Sequence, residues 1–66
     1  MTILLNGAER QLAAGTTLYA CLLQHAPPPE MTYVRQNGAY VSRQDYQTVT
    51  LREGDRLTVY RVPSGG

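Results

Sequence analysis

The sequence predicts an α+β fold in which a mixed sheet of four to five strands packs on one helix. Three observations predict it. Two Asn-Gly pairs, Asn6-Gly7 and Asn37-Gly38, each lie between short alternating runs. Leu18, Cys21, Leu22 and His25 recur at the spacing of one helical face. A further alternating run begins at Leu57 and leads toward the end of the sequence. Asparagine and glycine tolerate the positive φ that two-residue hairpin turns need, and one helix over a mostly antiparallel sheet is a two-layer solution for burying apolar faces.

Taken in order, residues 2–6 read as a strand with Ile3 and Leu5 on one face and Thr2 and Leu4 on the other. After the Asn6-Gly7 turn a second strand is expected at about 9–13. Gly15 ends it, and Thr16 or Thr17 can cap the helix that follows. Pro27-Pro28-Pro29 stops that helix, since none of the three can donate a backbone N–H. Residues 32–36 read as a third strand with Val34 inward, and a short fourth strand around Tyr40-Val41 follows Asn37-Gly38. Residues 43–51 read as irregular, held by Tyr46, Val49 and Leu51. Glu53-Gly54-Asp55 reads as a turn. The last strand, 57–62, alternates Leu57 and Val59 with Thr58, Tyr60 and Val62. The expected core is Ile3, Leu5, Leu12, Leu18, Leu22, Val34, Val41, Leu51, Leu57 and Val59.

The chain has 66 residues, which corresponds to one domain. So small a core leaves little room for a ligand pocket of roughly 300–1,000 Å³, so an enzyme with an enclosed site is not expected. The net charge of +1 gives no electrostatic support to a nucleic-acid partner. All basic residues are arginines, which excludes lysine nucleophiles and Schiff-base chemistry. Cys21 is the single cysteine, so neither an internal disulfide nor a multi-cysteine metal site can form. Its helical spacing with Leu18 and Leu22 reads as a buried, inert thiol rather than a sulfur relay. His25 reads as a residue of the last helical turn, favourable to the helix dipole, rather than as a metal ligand or base. The longest aliphatic run, Ile3-Leu4-Leu5, is too short for a membrane span or signal peptide. A reducing, cytoplasmic setting is the expectation.

Composition changes only at Pro63-Ser64-Gly65-Gly66, read as a flexible tail after a domain of residues 1–62. Four residues extend to about 13–14 Å at roughly 3.3–3.6 Å each, enough to thread a channel in a partner. Glycine without a Cβ passes a narrow slot and leaves the Gly66 carboxyl carbon unhindered. A terminal carboxyl is ionised at neutral pH and can attack the α-phosphate of ATP. Nothing in the chain can supply that activation, so a partner must. Pro63 cannot extend the sheet and holds Val62 extended. Leu4, Tyr60 and Val62 are apolar positions opposite the core. If the first and last strands are neighbours, they form one docking patch beside the tail. Arg56 and Arg61 could steer an acidic partner, though solvated surface arginines are the simpler reading.

Together these residues resemble the ThiS family of sulfur carrier proteins, which have the ubiquitin-like β-grasp fold. The resemblance runs through Ile3-Leu4-Leu5-Asn6-Gly7, Gly15-Thr16-Thr17-Leu18, Asn37-Gly38 with Val41-Ser42-Arg43, Leu51-Arg52-Glu53-Gly54-Asp55-Arg56-Leu57, and Gly65-Gly66. It implies that an E1-like, ThiF-like enzyme adenylates Gly66 with ATP and magnesium. It further implies that a sulfur donor such as a cysteine desulfurase yields a thiocarboxylate, and that thiazole synthase (ThiG-like) takes the sulfur for the thiazole ring of thiamine. Gly65 would be the slender neck, and the chain a carrier without catalytic residues or bound cofactor. Ser42 stands where the family usually has proline, Tyr46 where it has tryptophan, and Gln36 where it has an apolar residue. The triple proline and Pro63-Ser64 are also unusual. A carrier for molybdopterin, cysteine or secondary-metabolite synthesis, a protein modifier, and a binding module with passive glycines are the alternatives.

Overall fold

The computed structural model describes residues 1–62. Five strands and one helix follow in the order β1 (Thr2–Leu5), β2 (Ala8–Gln11), α1 (Leu18–His25), β3 (Thr32–Gln36), β4 (Ala39–Val41) and β5 (Arg56–Arg61). They form one sheet in the order β2-β1-β5-β3-β4. β1 pairs antiparallel with β2 and β3 with β4, each through its Asn-Gly turn. β5 joins the two hairpins, antiparallel to β3 and parallel to β1. The sheet is therefore mixed, with the last strand at its centre.

Both turns place their asparagine in the left-handed region, at φ 51° for Asn6 and 53° for Asn37, with the glycines at 85° and 86°. This is the two-residue turn whose twist matches the flanking strands. The same asparagines also reach β5. Asn6 Oδ1 accepts from Val59 N at 2.8 Å, and Asn37 Oδ1 accepts from Arg56 N at 2.9 Å. Each turn thus fixes its own hairpin and holds the central strand.

Thr17 is the helix cap; its hydroxyl accepts from Ala20 N at 3.1 Å. Leu18 N and Tyr19 N donate to the Val49 and Tyr46 carbonyls at 2.9 and 3.0 Å. The donors at the start of a helix lack partners within it, and here the segment after β4 supplies them. That segment is more ordered than the sequence suggests. Arg43–Asp45 form a 3₁₀ turn, after which Tyr46 enters the core at 1 % exposure. Leu51 N returns to Thr16 O at 2.9 Å.

Ile3, Leu5, Leu12, Leu18, Cys21, Leu22, Val34, Val41, Tyr46, Leu51 and Leu57 form the core between helix and sheet. Val59, expected there, is only partly buried against it. It lies beyond the end of β1, where the sheet has no neighbour on that side. His25 is exposed, so the buried stripe of α1 stops at Leu22. β2 begins and ends earlier than expected, and β5 covers 56–61 instead of 57–62. The triple proline ends α1 at the Ala26 cap, but Pro29 also begins a 3₁₀ turn, Pro29–Met31, and is itself buried. Its carbonyl accepts from the buried Thr32 hydroxyl at 3.0 Å.

Candidate functional site

The expected site is the segment leaving β5. Gly66, Gly65, Ser64 and Pro63 lie outside the described residues, so what the structure defines is the strand that leads to them. β5 is held from both sides. Leu4 N and Asn6 N donate to the carbonyls of Asp55 and Leu57 at 2.9 and 2.8 Å, and Asn37 N donates to Arg56 O at 2.7 Å. At the far end Val62 N donates to Met31 O at 2.7 Å. The main chain is therefore fixed by hydrogen bonds up to residue 62, where the described residues end.

The start of β5 is tied by Asp55, a residue with 8 % exposure. Its carboxylate accepts from Arg52 N at 2.8 Å, Gln36 Nε2 at 3.0 Å and Asn37 Nδ2 at 3.0 Å. Burial pushes the carboxyl upward. The bonds from Asn37, Arg52 and Gln36, with the Arg52 charge, outweigh that and hold it below its ordinary value. Sequence reading took Glu53-Gly54-Asp55 as a turn and missed this clasp, whose side-chain partners, Gln36 and Asn37, lie almost twenty residues away. Gln36, the departure from an apolar residue, is one of them.

Leu4, Tyr60 and Val62 share the sheet face opposite the helix, and β1 and β5 are indeed neighbours. The register nevertheless sets Leu4 beside Arg56. Tyr60 is four residues further along β5, about 13 Å at roughly 3.3 Å per residue. The structure therefore separates Leu4 from the end of β5 and does not gather the three residues into one patch. Tyr60 is instead grouped with two tyrosines that sequence reading did not single out. Its ring stacks on Tyr33 across the strand pair, with centroids 4.8 Å apart and planes 15° from parallel. Tyr40 continues the row at 6.4 Å from Tyr33. All three are exposed, and Arg35 lies among them, paired with Tyr40 and Thr58. The alternation in 32–36 that turned Val34 inward already placed Tyr33 outward.

Cys21 is fully buried, and burial pushes its thiol up, which disfavours the thiolate a sulfur relay would need. Among the described residues no three His, Cys, Asp or Glu side chains gather where they could hold a metal. A groove of about 480 Å³, open to solvent, is lined by residues including Tyr19, Pro29, Arg43 and Tyr46. Arg43 Nη2 and the Tyr46 hydroxyl are both turned to the Thr32 carbonyl, at 3.1 and 3.3 Å. No helix among the described residues is long and apolar enough to cross a membrane.

A five-stranded mixed sheet in this order, closed over one helix by a parallel pair of first and last strands, defines a ubiquitin-like β-grasp protein. The sequence places it further: residues 3–66 match the ThiS family, and the chain belongs to that family. Two solved structures share the fold over the whole of this chain. One is a crystal structure of a thiamine biosynthesis protein (ThiS) from Geobacter metallireducens, with a TM-score of 0.80, 24% identity and all of that chain covered. The other is a solution structure of a thiamine biosynthesis protein from the same organism, with a TM-score of 0.75, 22% identity and 88% of that chain covered. Among curated proteins, a thiazole synthase of Magnetococcus marinus is 41% identical over 66 residues. All of this chain is covered, but it spans only 20% of that relative's length.

Proposed function

We propose that this chain is a sulfur carrier whose working group is the carboxylate of Gly66, and that it delivers sulfur for assembly of a thiazole ring. The observation that carries the proposal is the family match, which continues through Gly65-Gly66, a few residues beyond the end of the central strand β5. The folded domain is the handle and residues 63–66 are the reactive arm. The likeness to part of a thiazole synthase favours thiazole formation over the molybdopterin, cysteine and secondary-metabolite alternatives.

The chemistry follows from the carboxylate. One Gly66 oxygen attacks the α-phosphate of ATP, with magnesium on a ThiF-like partner enzyme, and pyrophosphate leaves. The resulting acyl adenylate is electrophilic at the Gly66 carbonyl carbon. A sulfur nucleophile from a donor system such as a cysteine desulfurase adds there and expels AMP; with hydrosulfide the product is the thiocarboxylate directly. Thiazole synthase then takes the sulfur. The chain itself catalyses none of these steps. Its contribution is a carboxylate without a side chain beside it and a fixed strand for the partner to hold. Cytoplasmic operation fits the need for ATP and reduced sulfur.

The test is intact mass spectrometry after incubation with a ThiF-like enzyme, ATP, magnesium and sulfide. Replacement of one oxygen by sulfur, mapped to Gly66, is the expected result. Sulfur transfer from the loaded chain to a thiazole synthase separates thiazole formation from the other sulfur pathways. Isopeptide-linked adducts on other proteins would instead mark a modifier. An unchanged mass with active cognate enzymes would refute the carrier reading.

A further inference from the structure

We infer that the edge of β5 left open beside β1 is a docking rail, to which the activating enzyme adds a length of its own main chain. The inference rests on the proposed function and names how the partner holds the arm. β1 stops at Leu5, opposite Leu57, and Asn6-Gly7 turns the chain away into β2. β5 continues to Arg61. The β1 side of its second half thus has no neighbouring strand among the described residues.

The direction of each group on that edge follows from the bonds around it. Val59 N points to the β1 side, since it donates to Asn6 Oδ1 at 2.8 Å. Val62 N points to the β3 side, since it donates to Met31 O. Successive residues of a strand alternate, so the Val59 carbonyl and both the N–H and the carbonyl of Arg61 face the open side. No bond among the described residues reaches these three groups. The Asn6 side chain satisfies the first donor of the row and leaves the rest.

The short arm makes this edge hard for the enzyme to avoid. Residues 63–66 reach only about 13–14 Å, so an enzyme that closes on the Gly66 carboxylate must bring its surface against the end of β5. Contact removes water from the open groups, and a buried backbone group left without a partner loses its hydration with nothing to replace it. An extended segment of the enzyme, one strand spacing or about 4.8 Å away, satisfies all three at once by strand addition. Such bonds read backbone rather than side chains and fix the arm's direction at its root.

Arg61→Pro removes the one open donor and spares β3, because the Arg61 N–H does not face that strand. Arg61→Ala controls for loss of the side chain. Adenylation of each variant by a ThiF-like enzyme with ATP and magnesium should show kcat/KM lowered about tenfold or more in Arg61→Pro, and within about threefold of wild type in Arg61→Ala. In the wild-type complex, without a sulfur source, the Arg61 amide should become protected from hydrogen exchange. That measurement decides the matter if Arg61→Pro fails to fold. Wild-type chain that is adenylated normally while its Arg61 amide exchanges at the free rate, or a folded Arg61→Pro that matches Arg61→Ala, would overturn this inference alone. Wild-type chain that is never adenylated would overturn the function on which it rests.

Discussion

Replacing Asp55 by asparagine tests whether one buried carboxylate holds the centre of the sheet. Asp55 accepts three bonds, from Arg52 N, Gln36 Nε2 and Asn37 Nδ2. An asparagine keeps one oxygen and turns an NH₂ group toward at least one of these donors. Hydrogen bonds to charged groups are worth about 1.5–3 kcal/mol, so loss of one, with the rest weakened, should cost about 2–3 kcal/mol. For a domain of this size each kcal/mol lowers Tm by about 4–8 °C, which gives a fall of more than about 8 °C at pH 7. The pH dependence has a definite sign. The folded carboxyl is held below its ordinary value, by bonds from Asn37, Arg52 and Gln36 that outweigh the opposing effect of burial. Its contribution is therefore fully present above the unfolded pKa of about 3.9 and is lost as pH falls through the lower folded value. Urea unfolding followed by circular dichroism, at pH 7 and at steps below pH 4, should show the wild type converging on Asp55→Asn as acid is added. A variant within about 0.5 kcal/mol of wild type at pH 7, or a gap that does not narrow in acid, would refute the reasoning.

Thr17→Ala should cost about 1 kcal/mol, through loss of the helix cap alone, and a Tm unchanged within error would show that the neighbouring carbonyls suffice. Cys21 should resist iodoacetamide in the folded protein and react only at the rate of unfolding, and Cys21→Ala should still be loaded with sulfur at Gly66; rapid native-state alkylation, or loss of loading, would restore a relay role. Tyr60→Ala should leave the Tm nearly intact but weaken binding to the activating enzyme several-fold in titration calorimetry, since aromatic contact residues carry much of the energy of interfaces. Unchanged affinity would remove that tyrosine from the docking surface.

Features set by neighbouring residues were legible in the sequence. The Asn-Gly turns, the Thr17 cap, the inward Val34 and the apolar stripe of α1 each depend on spacing within a few positions. What was not legible depends on register between distant segments. Asp55 looks like an ordinary turn residue until β3 brings Gln36 and Asn37 against it. Asn6 and Asn37 read as turn formers, and nothing local shows that their side chains also reach β5. Leu4 and Tyr60 have the right parity to share a face, but only the alignment of β1 with β5 reveals that they are far apart on it. The stack of Tyr33 on Tyr60 is the reverse case, created by that same kind of alignment between β3 and β5. Proline and irregular composition hid the two 3₁₀ turns, because their order comes from Pro29 and Tyr46 packing rather than from periodicity. The glycine arm, residues 63–66, lies outside the described residues and was read from the chemistry of its sequence alone.

The central position of β5 has a consequence for biosynthesis. The two hairpins it unites share no strand pairing of their own, and β5 bonds a residue as distant as Asn6. Contacts this far apart in sequence are made late and slowly. A nascent or truncated chain lacking residues 56–61 would hold two unjoined ribbons, each too small to persist by itself. Completion of the sheet is thus a single late event, and a chain cut short before β5 has no folded domain.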